Sequence, residues 1–409
     1  MFAQVVAFRR TQVVTDQGVV PTLRYRTRVL SVGDPPLPGD HIVDLQDAFV
    51  LPGLINAHDH LELNHYGRLK CRPVYGNASQ WIDDMRPRLR DDPSLRRGQA
   101  FRLADRLFIG GIKNLLSGVT TVAHHNPLYP ELRFRFPVRV LRRYGWAHSL
   151  SLQHGAAGAR GEPGGDVTAR FRATPPEHPF LLHLAEGTDR AARDELRHLE
   201  RLGCLSDNSV LVHGVGLSDA DWSRMVRRGA GLVWCPASNL FLLGKTAPIR
   251  QFRDACPVSR TRICLGTDSR VTGSFNLLDE LRVAVGAGQI EPDEALPMVT
   301  TNPARVLRLP DAGRIATGLK ADLLVIRRLA DTPAASLIAA RRRDVLLVAV
   351  GGRPLVADPE LAGVFAARRS PATLVRIDGA VKLLDASLAR QIQRCAIHEE
   401  GIECVHPES

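Results

Sequence analysis

The chain has 409 residues, 44% hydrophobic and 24% charged, close to the soluble globular average. That excludes disordered, collagen-like and fibrous classes and permits a sizeable core. Lys and Arg number 54 against 43 Asp and Glu, a net charge of +11 that attracts anionic partners. The arginines are scattered, and the one tight run, Arg341-Arg342-Arg343, has no recognition motif around it, so no nucleic-acid partner is expected. No run approaches the roughly 18–20 apolar residues of a membrane span. The first ten residues place their basic pair after the apolar part, the reverse of a signal peptide. The seven cysteines form no C-x-x-C pair, which suits a reducing compartment. A cytoplasmic protein with no membrane partner is therefore expected.

In chain order, residues 4–8 and 12–14 read as short strands before a turn at Asp16-Gln17-Gly18, and 23–30 alternates strongly. The far end has the same character, with strands over 321–326 and 345–350 and a hairpin turn at Gly351-Gly352. Neither end holds enough strands for a core of its own, so one small sheet domain shared by both ends is expected. The middle alternates apolar runs with helical stretches, the pattern of a parallel α/β fold. Buried strands are predicted over 50–57, 119–123, 146–152, 180–184, 210–212, 231–235 and 262–266. An eight-stranded barrel needs one more, and 137–141 is the candidate, although it also reads as helix. Helices over 79–90, 95–116, 188–202 and 277–285 would cover the outside.

Chemistry collects at the strand ends. The run 50–57 leads into His58-Asp59-His60, 180–182 into His183-Leu-Ala-Glu186, 210–212 into His213, and 263–266 into Thr267-Asp268. Strand side chains alternate with period two, so His58 and His60 share a side. In a parallel barrel all these ends meet at one mouth. His58, His60, His183, His213 and Asp268 are therefore candidates to gather at one site, where three His and a carboxylate suit a divalent metal, Zn, Fe or Mn.

At this point the chain resembles the amidohydrolase superfamily. The resemblance rests on Leu51-Pro-Gly-Leu-Ile-Asn-Ala-His-Asp-His60, Gly118-Val-Thr-Thr-Val122, His183-Leu-Ala-Glu186, Val212-His213-Gly-Val, Trp234-Cys-Pro-Ala-Ser-Asn239, Gly266-Thr-Asp268, Thr301-Asn-Pro-Ala304 and Gly318-Leu-Lys-Ala-Asp-Leu-Leu324. It is most similar to the branch of cytosine, guanine and S-adenosylhomocysteine deaminases and triazine hydrolases. The resemblance implies a (β/α)8 TIM-type barrel over 51–310 and a small β-sandwich built from 1–50 and 311–409, the latter including a C-terminal extension. It implies His58, His60, His183 and Asp268 as ligands, with Asp268 also a base. Glu186 becomes the proton shuttle, and His213 orients the reacting water or polarises the scissile centre. Relatives with two metals use a bridging carboxylated lysine. None of the five lysines, 70, 113, 245, 320 and 382, follows the 146–152 strand, so one ion is expected. The implied reaction is hydrolytic deamination of an amino-substituted purine, pyrimidine or triazine by a metal-activated water. Hydrolysis of a cyclic or linear amide, or of another C–N or C–halogen bond, is the alternative. A small-molecule substrate is expected, and dimers are common in such families.

Four further residues are candidates for substrate contacts. His125 follows the second barrel strand, and Gln153 follows the fourth. Arg270 stands two residues past Asp268, where it meets either a carboxylate or phosphate on the substrate or a surface salt-bridge partner. Trp81 lines the entrance or packs in the core.

Overall fold

The computed structural model describes residues 3–150 and 166–404; Gln153 and the glycine-rich stretch 155–165 lie outside them. Short strands from the chain's beginning make a four-stranded sheet of Val6–Arg9, Leu23–Tyr25, Val29–Val32 and His41–Asp44. The alternation over 23–30 is not one strand. The chain reverses at 26–28, pairing Leu23 with Val32 and Tyr25 with Val29.

A nine-stranded sheet joins the two ends. Gln12–Thr15 runs parallel to Phe49–Pro52, which pairs antiparallel with Leu323–Ile326, Val50 facing Val325. Both faces of this sheet are covered. Val50, Leu323 and Val325 pack with Val6, Phe8 and Tyr25, whereas Phe49, Leu51, Leu324 and Ile326 pack with the barrel's outer layer. Burial on both faces explains why these strands read as unbroken apolar runs rather than alternating ones.

Eight barrel strands occur among the described residues: Leu54–Asp59, Val119–His124, Arg139–Val140, Gly145–Ala147, Phe180–Leu184, Ser209–His213, Gly231–Trp234 and Ile263–Leu265. The first three pair in parallel, as do the fourth to eighth. A parallel bridge between Asp59 and Asp268 brings the eighth back to the first. Ile55, Ala57, Leu181, Val210, Val212, Val233 and Cys264 form an inner cluster, while Leu54, Leu182, Leu211, Leu232 and Ile263 join the outer one under the helices. The third strand falls inside the 137–141 segment. It is joined to the fourth by residues 141–144 alone, with no helix between them and no ladder pairing the two strands. The expected helix over 95–116 is two, Pro93–Ala100 and Leu103–Leu116. Among the described residues no helix is long and apolar enough to cross a membrane.

Candidate metal centre

With Ile55 and Ala57 facing inward, strict alternation would aim residue 59, not 58 and 60, into the barrel. A register slip resolves this. Asn56 lies opposite Val122, but Asp59 lies opposite His124, so the first strand carries one extra residue. Such a bulge reverses the facing of the residues beyond it. His58 and His60 turn to the mouth, while Asn56 and Asp59 turn outward together, their side chains hydrogen-bonded at 3.1 Å. The eighth strand passes close behind: a Cβ on Gly266 would stand 2.7 Å from the His58 Cβ, so the approach requires glycine. His213 and Asp268 end their strands at φ 79° and 56°. These left-handed conformations are uncommon for residues with side chains and recur at functional sites.

The donor atoms converge. His183 Nε2 lies 3.2 Å from His60 Nε2 and 3.3 Å from His58 Nε2. Asp268 Oδ1 lies 3.7 Å from His58 Nε2 and 3.6 Å from His60 Nε2. Ligand atoms about 2.0–2.1 Å from one ion stand roughly 3–3.5 Å apart, so these residues would fit a single divalent cation that can also take a water.

Neighbouring groups set each donor's lone pair. His183 Nδ1 donates to the His148 carbonyl at 2.8 Å, which frees Nε2 for the cluster. His125 Nε2 donates to the Ala147 carbonyl at 2.9 Å, so its Nδ1 accepts from His58 Nδ1 at 3.3 Å and His58 too presents a bare Nε2. The Ser238 and Thr272 hydroxyls donate to Asp268 Oδ2, each at 2.7 Å, leaving Oδ1 toward the cluster. Burial alone would raise the Asp268 carboxyl, but its place among the His58, His60 and His213 imidazoles holds it well below the usual range.

Glu186 stands beside this cluster. Ala78 N–H, at the start of helix Ala78–Asp91, donates to the Glu186 carbonyl at 3.0 Å and fixes the loop after the fifth strand. Burial, then the nearby Asp268 and Glu195 carboxylates, push the Glu186 carboxyl well above its ordinary value. A carboxyl raised in this way holds its proton more firmly than an exposed one, which suits a group that passes a proton on. Its Oε2 lies 3.5 Å from His213 Nε2. His213 Nδ1 donates to Asn239 Oδ1 at 2.9 Å. Burial lowers the imidazole to about 4, so its Nε2 is a neutral acceptor.

Behind the ligand-bearing strand lies a buried polar clamp. Lys113 Nζ, with no exposed surface, donates to Asp59 Oδ2 at 3.1 Å, Asn64 Oδ1 at 2.8 Å and Thr267 Oγ1 at 3.0 Å. Asn114 and Asn64 also donate to Asp59, at 2.7 and 2.8 Å. The residue between the two histidines is thus tied to the residue before Asp268. Removing one partner of a buried ion pair strands the other and costs about 3–5 kcal/mol. Lys113→Met is expected to destabilise the barrel by that amount, read from the urea midpoint, and to weaken zinc retention against a chelator. An unchanged midpoint would show that the clamp carries no stability.

Among the described residues expected to contact substrate, none presents a free polar edge to the mouth. His125 belongs to a group of four imidazoles, with His58, His60 and His183, whose ligand atoms lie within 4.8 Å of one another. Both its ring nitrogens are spent on Ala147 and His58, so it positions a ligand rather than binding substrate. Arg270 does meet a carboxylate, but the chain supplies it: Glu399, fully buried, accepts from Nη1 and Nη2 at 2.8 and 2.6 Å. Arg342 reaches the same carboxylate at 3.0 Å. Trp81 packs against Tyr75, Leu242 and Leu243 and donates its ring N–H to the Leu69 carbonyl at 2.8 Å. Lys113, Ser238, Asn239, Thr272 and Glu399 were not singled out from the sequence as site residues. Ser238 and Asn239 carry a signal there, inside the Trp234–Asn239 motif; the others carry none.

Three imidazoles and a carboxylate, with a buried glutamate alongside, at the mouth of a parallel barrel make a candidate centre for metal-dependent hydrolysis. The Amidohydrolase family matches residues 162–355. The chain is 27% identical to a 5-methylthioadenosine/S-adenosylhomocysteine deaminase of Natronomonas pharaonis over 85% of this chain and 93% of that one. Against the enzyme of the same name from Pyrococcus furiosus the figures are 24%, 86% and 92%. In fold it is similar to atrazine chlorohydrolase of Arthrobacter aurescens, complexed with zinc and atraton, with a TM-score of 0.71 at 20% identity over 89% of this chain and 100% of that one. An adenosine deaminase of Xanthomonas campestris with bound zinc gives a TM-score of 0.67 at 20% identity, over 90% and 97%. The chain is thus similar to the Amidohydrolase family over residues 162–355 and to named deaminases over most of its length.

Proposed function

We propose that this protein is a zinc-dependent hydrolase, with one ion per chain, that removes the amino group of an amino-substituted nitrogen heterocycle of the purine class. The relatives named as adenine-nucleoside deaminases support the substrate class. The observation that carries the reaction is Glu186, a buried carboxylic acid 3.5 Å from His213 and beside the His58, His60, His183 and Asp268 donors. Support for a single ion comes from Lys113, which is spent on Asp59 behind the site.

A divalent cation held by His58, His60, His183 and Asp268 supplies a water of lowered pKa, from 15.7 toward about 7. Asp268 Oδ1 accepts the proton that the attacking water gives up. Glu186 delivers its proton to the ring or departing nitrogen, because an unprotonated amide ion is a poor leaving group. His213, neutral and fixed by Asn239, accepts a hydrogen bond at Nε2 and orients the attacking group. The carbon–nitrogen bond breaks, the ring carbon gains an oxygen, and ammonia leaves.

The test is ammonia release by zinc-loaded protein from a panel of aminopurine nucleosides, aminopyrimidines and aminotriazines, with chloro- and N-alkyl-triazines alongside. Ammonia from the purine arm is expected. Chloride or alkylamine release with no ammonia from any member would replace deamination by the other bond cleavage.

A further inference from the structure

A (β/α)8 barrel normally covers each strand-to-strand passage with a helix. Here the third and fourth strands are joined by residues 141–144 and share no ladder, which leaves an open seam. A cavity of about 750 Å³ lies along it, a volume that suits a small-molecule ligand. Arg143 precedes the fourth strand and Pro179 the fifth, and both line the cavity. It therefore opens at the strand ends opposite those carrying the metal ligands.

Its walls are strongly cationic. The seam contributes Arg133, Arg135, Arg139, Arg142 and Arg143, and the far wall adds Arg308 and Lys320, against Glu177, Asp311 and Asp322. The acids are largely matched already. Asp322 takes Arg139 at 3.1 Å, Asp311 takes Lys320 at 3.6 Å, and Arg308 reaches Asp207 at 3.1 Å. Arg142 donates to the Arg133 carbonyl at 2.5 Å. Among the described residues Arg133, Arg135, Arg142 and Arg143 have no carboxylate partner, and all four are exposed. Four arginines against one unmatched acid, Glu177, around one concavity concentrate positive potential there, and a guanidinium matches phosphate oxygens in a two-point fork.

We propose that this seam groove binds a small phosphate-rich anion, a molecule with a diphosphate or two closely spaced phosphate groups, independently of the chemistry at the barrel mouth. A terminal phosphate carries a charge of about −1.5 to −2 at neutral pH, so two such groups offset the four unmatched arginines.

Inorganic pyrophosphate titrated into the zinc-loaded full chain, followed by calorimetry and by melting temperature, tests this. Sulfate at matched ionic strength is the control. Saturable binding of one pyrophosphate per chain is expected, with the Arg133→Gln/Arg143→Gln variant weakening it by about tenfold or more. Those two side chains are exposed, so the variant should keep its zinc content and ligand-free melting temperature. Loss of zinc to the probe would act alike on both proteins and cannot produce the difference between them. Equal affinity in the variant, or a pyrophosphate effect no greater than that of sulfate, overturns the proposal. Tighter binding of bulk DNA than of pyrophosphate, lost in the same variant, also overturns it and makes the seam a nucleic-acid surface.

Discussion

Replacing His58 by alanine is expected to remove zinc and turnover together. The ring nitrogen at the centre of the cluster, 3.3 Å from His183 and 3.7 Å from Asp268, disappears. His125 then loses the group it was holding. Elemental analysis should fall from about one ion per chain to near zero, and activity to the uncatalysed background. The metal binds the folded chain, so its loss also removes stabilisation, about 4 kcal/mol if free zinc stands at 1,000 times its dissociation constant. Wild-type protein treated with a chelator should melt where the variant melts. Full zinc content in His58→Ala would show that the ion sits elsewhere.

Glu186→Gln separates holding the metal from moving the proton. Its carboxyl faces His213 and is not among the four converging donors, so the variant should keep its zinc and its fold. The amide preserves shape and hydrogen bonding but cannot deliver a proton, and kcat should fall by about 10²- to 10⁴-fold, with little change in binding of a substrate analogue. The pH profile gives a second reading. Glu186 acts as the protonated acid and its pKa is raised. The protonated fraction of Glu186 falls as pH climbs through that raised value and wild-type turnover declines with it, whereas Glu186→Gln should lack this alkaline decline. Zinc loss in the variant would make Glu186 a ligand. Near-normal turnover with zinc retained would transfer the proton role to His213.

The sequence shows the four donors because each ends its own apolar run, and a parallel barrel brings such ends to one mouth. Period two, however, tells only that His58 and His60 share a side. Which side depends on the bulge at 56–59, an extra residue that leaves no mark in the hydrophobic pattern. The third and fourth barrel strands span two and three residues, too short to show any periodicity. That is why 137–141 reads equally as helix and the fourth strand is drawn too long. For the substrate-contact expectations at His125, Arg270 and Trp81 the sequence hides something else. Position after a strand end places a residue near the mouth but does not say what its polar atoms already hold. The partner of Arg270 is 129 positions away, and an ion pair at that separation has no spacing to read.

That same pair sets a timetable for synthesis. The loop that carries Asp268 is anchored through Arg270 to Glu399, and Glu399 is anchored in turn to Arg342. At about 5–20 residues per second, the ribosome adds Glu399 some 6–26 seconds after Arg270. During that interval the loop after the eighth strand lacks its carboxylate tie, and once Arg342 has been added the two guanidinium groups lack their shared counter-charge. Two cations held against one phenylalanine ring, Phe275, repel until the glutamate arrives. The loop that carries Asp268 is therefore tied down by a residue made 129 positions later, and it settles only once the segment around Glu399 has joined the fold.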